Sequence, residues 1–564
     1  VQRRNNPARA MQPFQTLLAY PVKLRDSFTL SPIALSAWIL VFLFATANHT
    51  FWMIGAEVFF GHGLAFSGFV LALFLLMLSI FSLFGFSWVL KPFLVVIVVL
   101  SAVSSYYVDT LGIVVDRDMI QNVAVTTFAE SKHLITLGFV LHLVVFGLVP
   151  AAIILTIRPK PQGMLRTLAT PLVGFVVGMS LAVGVLALDM KSYAAVVRER
   201  KDLLSSFQPG APLLGIVRYA RMVSKVRKDV IAPIGEDAVK GSSYGAGANP
   251  VLAVVVVGET ARSQNFSLNG YNVKTNPRLA DLPVVSFSNV HSCGTATAVS
   301  LPCMFSSFGR GRYTYERGVS TENVLDVFKH AGFHLEWWDN NTGHKGVADR
   351  IESKSFVSMS VPEFCGQGEC ADGVFLGALQ NYAETIVQDT VLVLHQIGSH
   401  GPAYYLRYPA AFERFTPSCR TAEFMNCTPE EIVNSYDNTI AYTDEFLAEA
   451  IGVLNRQSRA DTVLMYVSDH GESLGEGGLF LHGAPYFMAP EYQTKVPMIV
   501  WLSDRFSQRF SIDKSCLADQ RDTELSHDNL FHSLLGMLDV STDVRDAGLD
   551  IFARCMKDDK VASR

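Results

Sequence analysis

Charge is scarce in this chain. Only 17% of its 564 residues are Asp, Glu, Lys or Arg, against about 25% in soluble globular proteins. Basic residues are dispersed and the net charge is -5, so no cationic face is offered to a polyphosphate, and nucleic acid is excluded as a partner. Cysteine is missing from the whole first half: the 8 cysteines stand at 293, 303, 365, 370, 419, 427, 516 and 555. An even set confined to one half, with short spacings, argues for a disulfide framework in an oxidising compartment. Zinc thiolates are the competing reading; the step from Cys365 to Cys370 allows it and the other spacings oppose it.

Apolar runs take the place of charge. After a polar, basic leader, in which Met11 is an alternative start, five segments at about 33 to 54, 64 to 85, 89 to 107, 134 to 157 and 168 to 189 each approach the ~20 residues that span a bilayer. Arg3, Arg4, Arg9, Lys23, Arg25, Lys91, Arg158, Lys160 and Arg166 flank them on one side, and only Arg117 and Lys132 on the other. That asymmetry puts the amino terminus in the cytoplasm. With five spans, everything after residue 190 is then outside, in agreement with the cysteines. The connection from Asp109 to His133 is polar, with helical apolar spacing around Met119 and Ile120; it reads either as the lining of a lipid head-group site or as a short solvated helix. The expected organisation is a leader over 1–32, a transmembrane domain over 33–189, a bridging stretch over 190–248 and a catalytic domain over 249–564.

In the bridge, Pro209-Gly210 breaks the chain and Pro212 is placed to start a helix. Leu213, Ile216, Val217, Ala220 and Val223 then recur at helical spacing, with Arg218, Arg221, Lys225, Arg227 and Lys228 among and after them. Such a basic amphipathic helix suits a membrane interface, or else packs on the soluble domain. Gly241 to Asn249 has the composition of a flexible linker.

Beyond it, hydrophobic runs alternate with helical patterns, which predicts an α/β sandwich. Val251 to Glu259 (VLAVVVVGE) reads as a central parallel strand buried on both faces, ending in a carboxylate. Thr390 to Gln396 and Val496 to Leu502 read as further strands. The stretch TVLMYVSDHGESLG, Thr462 to Gly475, is a buried strand that stops at Asp469, His470 and Glu472. In open α/β sheets ligands sit at the carboxyl ends of strands. Glu259, Asp469 and His470 converging there would suit a divalent metal, most readily zinc. Between these strands, Ser292 to Ala298 (SCGTATA) leads into a helix. A helix amino terminus attracts anions, and a hydroxyl beside a bound cation loses its proton more easily, so Thr297 is the candidate nucleophile rather than a simple helix cap.

Six motifs in this order, GETAR at 258–262, FSNVHSCGTATA at 287–298, WDNN at 338–341, SHGPAY at 399–404, SDHGES at 468–473 and LHG at 481–483, resemble the phosphoethanolamine transferases of Gram-negative inner membranes. That family includes the lipid A modifying enzymes and the mobile colistin resistance proteins. The resemblance covers essentially the whole chain and implies five spans plus an α/β/α sandwich of the alkaline phosphatase and sulfatase type. It implies that Glu259, Asp469 and His470 ligate zinc, and that Thr297 is nucleophile and fourth ligand. Asn341, Lys345, His400, Glu472 and His482 match residues around the phosphoethanolamine group, with Glu472 and His400 catalytic and the two histidines placed to hold a further zinc. It also implies phosphatidylethanolamine as donor and a lipid A phosphate as acceptor, with resistance to cationic peptides such as polymyxin as the outcome; a monomer is expected. A core sugar is the alternative acceptor. Departures lie in loops such as Thr342-Gly343-His344, which bear on acceptor choice. A sulfatase would need Cys-x-Pro-x-Arg at the nucleophile turn, and CGTAT lacks it. Spacing and compartment together favour local cysteine pairs: Cys293 with Cys303, Cys365 with Cys370, Cys419 with Cys427, leaving Cys516 with Cys555.

Overall fold

The long apolar runs fold into helices α1 (Pro32–Thr46), α2 (His49–Val58), α3 (Gly63–Ser82) and α4 (Leu90–Leu111). These are followed by the short α5 (Arg117–Val125), then α6 (Leu137–Thr156), α7 (Met164–Leu188) and α8 (Gly210–Ser224). This computed structural model describes residues 29–556, apart from 87, 161–162, 227–230, 358 and 367. The basic leader residues Arg3, Arg4, Arg9, Lys23 and Arg25, and also Arg227 and Lys228, lie outside the described residues.

Among the described residues, four helices are long and apolar enough to cross a membrane (α3, α4, α6 and α7), or five if α1 and α2 count as one bent span. The first expected span, 33 to 54, is therefore corrected: it is no straight helix but two helices meeting at 73°. Asn48 is the cause. Its side-chain amide donates to Leu43 O at 2.9 Å and to Gln208 O at 3.1 Å, while its Oδ1 accepts from Gln208 N at 2.8 Å. A side chain that takes a backbone carbonyl competes with the helix ladder, and here it also ties the bend to the bridge. Elsewhere close packing uses small residues, as membrane helices do: Gly178 of α7 lies so near α3 that a Cβ there would meet Ser79 Cβ at 3.0 Å. Leu172, Val176 and Leu181 of α7 point outward, apolar groups left for lipid.

The second half is built on one sheet. Its strands are β1 (Val251–Gly258), β2 (Val285–His291), β3 (His334–Asp339), β4 (Glu352–Ser355), β5 (Thr390–His395), β6 (Asp461–Ser468), β7 (Lys495–Leu502) and β8 (Leu525–Ser526). They lie in the order β8-β2-β7-β6-β1-β5-β3-β4. Neighbours pair parallel except β7, which runs antiparallel to both β6 and β2. Strand β1 is buried along its full length because both faces are covered: Val251, Ala253, Val255 and Val257 enter one core, Leu252, Val254 and Val256 the other. That accounts for the unbroken β-branched run in the sequence. Disulfides Cys293–Cys303, Cys365–Cys370, Cys419–Cys427 and Cys516–Cys555 join all the cysteines.

Helix α5, the polar connection between membrane helices, does not stand in solvent. It lies against α9 (Thr297–Met304), with Gln121 Nε2 donating to Ala298 O at 3.2 Å. Helix α8 covers it from the other side: at Gly215 a Cβ would meet Asp116 O at 2.9 Å. Pro212 falls inside the first turn of α8, two residues after its start. The apolar stripe of α8 faces away from the protein, Ile216, Val217 and Val223 being 39%, 45% and 43% exposed.

Candidate active site

Three chain segments meet at the carboxyl edge of the sheet. β1 and β6 pair in register, Gly258 opposite Ser468, so the residues that follow them, Glu259 and Asp469, emerge side by side. The third segment is the turn from Ser292 to α9, whose first residue is Thr297. Thr297 Oγ1 lies 3.1 and 3.0 Å from the two Glu259 carboxylate oxygens and 3.3 Å from His470 Nε2. His470 Nε2 is in turn 3.4 Å from Glu259 Oε1 and 3.4 Å from Asp469 Oδ2. All four residues are buried.

This donor set fits a divalent cation. His470 Nδ1 faces Gly471 O at 2.9 Å; donating its proton there leaves the Nε2 lone pair aimed at the carboxylates, the tautomer a metal requires. Asp469 Oδ1 accepts from Thr260 N and His470 N, whereas its buried Oδ2 accepts no hydrogen bond. One ligand atom from each of Glu259, Asp469 and His470 lies within 4.8 Å of the others. The electrostatics point the same way. Burial pushes the Asp469 carboxyl up, with the Glu259 charge adding to it, to about 7. His470 is pushed up to about 10: burial opposes its charge, and the Asp469 and Glu259 carboxylates outweigh burial. Glu259 is held well below the usual carboxylate range; burial works against this, and the hydrogen bond and charge of His470 overcome it. Two buried carboxylates and one imidazole thus call for positive charge between them.

A second group adjoins the first. The His482 ring lies 4.4 Å from that of His470 and 5.4 Å from that of His400. Glu472 fixes His482 by accepting from its Nδ1 at 2.8 Å, and is itself held by the Tyr404 hydroxyl at 2.7 Å. Burial, outweighing that carboxylate, lowers the pKa of His482. Asn341 sits on Glu259 instead of standing apart: its amide donates to Glu259 Oε2 and to Gln396 O, both at 2.8 Å. Lys345 is farther out. Its ammonium donates to Thr342 Oγ1 at 2.7 Å and to Val125 O, at the end of α5, at 3.3 Å, and it borders a cavity walled by Gln121 and Ala298.

Three further residues, none given a role in the sequence reading, brace this arrangement. His527 accepts from Cys293 N at 3.1 Å through Nδ1 and donates to Ser468 O at 3.0 Å through Nε2. Burial lowers its pKa to about 3, so the neutral ring ties the nucleophile turn to the end of β6. Arg262, in GETAR, reaches Glu472 O at 3.1 Å and Glu476 at 2.6 Å, which locks the first motif to the fifth. Arg407 donates to His400 O at 2.8 Å. No sequence periodicity marks these residues, because each finds its partner through the fold.

The Sulfatase family profile matches residues 252–540, and the profile described as Phosphoethanolamine transferase EptA/EptB matches residues 73–223. The chain is 41% identical to Phosphoethanolamine transferase EptA of Escherichia coli (strain K12), over 85% of this chain and 88% of that one. It is 36% identical to Phosphatidylethanolamine transferase Mcr-1 of Escherichia coli, over 91% and 96%. The solved structure of the integral membrane protein lipooligosaccharide phosphoethanolamine transferase A (EptA) from Neisseria meningitidis superposes with a TM-score of 0.90 at 36% identity, covering 94% of this chain and 100% of that one. A membrane domain joined to a sulfatase-type sandwich, with a threonine set among two carboxylates and a histidine, accordingly places this chain in the phosphoethanolamine transferase family.

Proposed function

We propose that this chain is an inner-membrane, zinc-dependent transferase, working as a monomer with its catalytic domain in the periplasm. It moves phosphoethanolamine from phosphatidylethanolamine to a lipid A phosphate of lipopolysaccharide, lowering the negative charge that cationic peptides such as polymyxin recognise. The observation that carries this reading is the position of Thr297: the first residue of α9, its Oγ1 3.0 Å from Glu259 and 3.3 Å from His470. Glu259, Asp469, His470 and Thr297 are the residues to hold zinc, which when bound supplies the positive charge that makes the threonine hydroxyl acidic.

The rest belongs to the chain's own groups. Thr297 Oγ attacks phosphorus and the bond to the diacylglycerol oxygen breaks, leaving phosphoethanolamine on Thr297 and splitting one displacement into two. N–H groups at the start of α9 face the phosphoryl oxygens. His482, its Nδ1 fixed by Glu472, takes at Nε2 the proton that Thr297 gives up and passes it to the departing diacylglycerol oxygen; with His400 beside it, it takes a proton from the acceptor in the second half-reaction and returns it to Thr297 Oγ as the bond to phosphorus breaks. Asn341 keeps the Glu259 carboxylate aimed at Thr297, and Lys345 offers a cation at the mouth of the site.

Incubation with donor alone tests this. Tandem mass spectrometry should find phosphoethanolamine on Thr297, with diacylglycerol released in the same step and zinc in the purified protein. Thr297→Ser should retain part of the activity, Thr297→Ala should lose both half-reactions, and Thr260→Ala should still form the adduct. An adduct on Thr260 or Thr295, or full turnover by Thr297→Ala, overturns the assignment. Fragment masses of lipopolysaccharide made with and without the protein decide between a lipid A phosphate and a core sugar.

A further inference from the structure

A continuous line of polar contacts leads from the membrane half into the active site without passing through Glu259, Asp469, His470 or Thr297. It begins in the connection before α6. There Lys132 Nζ stands 3.2 Å, and His133 Nε2 2.9 Å, from Glu369 Oε1. The other oxygen of the same carboxylate, Oε2, accepts from Arg407 at 2.8 Å. Arg407 is 2% exposed, and its Nε continues the line to His400 O at 2.8 Å.

Glu369 is held in place for this. It sits in a hairpin, Cys365–Gly366 paired with Glu369–Cys370, closed by the Cys365–Cys370 disulfide. The next carboxylate, Asp372, accepts from Ile397 N at 2.9 Å and Gly398 N at 3.0 Å, in the segment that leads to His400. Asn340 Nδ2 bridges Cys370 O and Asp372 Oδ1, each at 2.9 Å. A small cavity of about 30 Å³ lies where Thr127 of the membrane half faces Asn341, Glu369, His400 and Arg407. The hairpin therefore touches the membrane half on one side and the His400 segment on the other. Desolvating an Arg–carboxylate pair adds little stability by itself, whereas a planar guanidinium bonded at two ends fixes geometry.

We propose that Glu369 and Arg407 are positioning residues that couple docking of the membrane half, through Lys132 and His133, to the placement of His400. The inference rests on the transferase reading above and adds that the membrane half is part of the active site's alignment as well as its anchor. With the two halves docked, Glu369 holds Arg407 by one oxygen and the membrane connection by the other; undocked, the segment carrying His400 loses that end of its support.

The test uses the full-length protein in phosphatidylethanolamine vesicles with lipid A as acceptor, and reads kcat, KM, Tm and bound metal. Glu369→Gln should lower kcat about tenfold with KM, Tm and metal content unchanged, because a misplaced proton-transfer group costs the transition state and not binding. Lys132→Ala with His133→Ala, which leaves the soluble half untouched, should give the same loss. All three changes together should cost no more than Glu369→Gln alone, as expected for one coupled unit. Arg407→Lys keeps the charge but cannot make both bonds, and should not restore kcat. Losses that multiply in the triple variant, losses that follow Tm or metal content, or an unchanged kcat in Glu369→Gln overturn the proposal. A wild-type protein that forms no phosphoethanolamine adduct would instead remove the transferase reading itself.

Discussion

Asp469 has two oxygens with opposite surroundings: Oδ1 is satisfied by backbone amides, while the buried Oδ2 accepts no hydrogen bond, His470 Nε2 standing off at 3.4 Å. A buried acceptor left unmade costs roughly 1 to 3 kcal/mol, a cost that a bound cation removes. Chelating the metal from the purified protein should therefore lower Tm, the stability lost being set by mass action and on the order of 2.7 kcal/mol at a hundredfold excess over Kd. In Asp469→Asn, the metal content should collapse and Tm should no longer respond to chelator. An unaltered metal stoichiometry in that variant would exclude Asp469 as a ligand. At this scale the sequence was most legible where a β-branched run stops at a carboxylate, as at Glu259 and Asp469. It was silent on His527 and on the role of Arg262, whose partners at Ser468 and Glu472 lie far away along the chain.

Among the elements, the edge of the sheet offers a titration. Glu336 on β3 accepts from Trp338 Nε1 at 2.8 Å and pairs with Lys354 of β4 at 2.6 Å. Burial raises its pKa, but Lys354 and then Trp338 outweigh burial and bring it down to about 2, from an ordinary 4.5. A carboxylate whose folded pKa lies below its unfolded one stabilises the protein above the unfolded value, and that contribution disappears as pH falls through the folded one. Wild type should thus lose stability between about pH 4.5 and pH 2 more steeply than Glu336→Gln, as read from urea midpoints along a pH series. Helix α8 provides a second prediction. Its exposed apolar stripe and its basic residues suit a membrane interface, so Arg218, Arg221 and Lys225 changed to Glu should weaken turnover of bilayer lipid far more than turnover of a short-chain soluble donor. Equal loss on both would mean general destabilisation. The periodicity that marks α8 was readable along the sequence, whereas the α1–α2 bend was not: Ala47-Asn48 carries no proline or glycine, and the break depends on Gln208, which the fold brings there. The antiparallel course of β7 was equally hidden, since a buried strand reads the same in either direction.

For the molecule as a whole, the basic flanks assign an orientation that fusion proteins can check. A reporter active only in an oxidising compartment should work when joined after residue 190 and fail when joined near Lys160; the reverse would invert the topology. The family and the two-part architecture were legible because motif order and apolar length survive in one dimension. The contact between the halves was not, because Gln121, Lys132 and His133 look like ordinary loop residues until α9 and the hairpin at Glu369 meet them. Thr297 lies inside the loop that Cys293–Cys303 closes, and a newly made chain holds those two sulfurs as thiols. Reduction should free the turn that holds Thr297, so the nascent protein is expected to be a zymogen whose activating step is the removal of two electrons rather than the cutting of a peptide bond. Chains made in a host unable to form disulfides should then be inserted, full length and idle until oxidised.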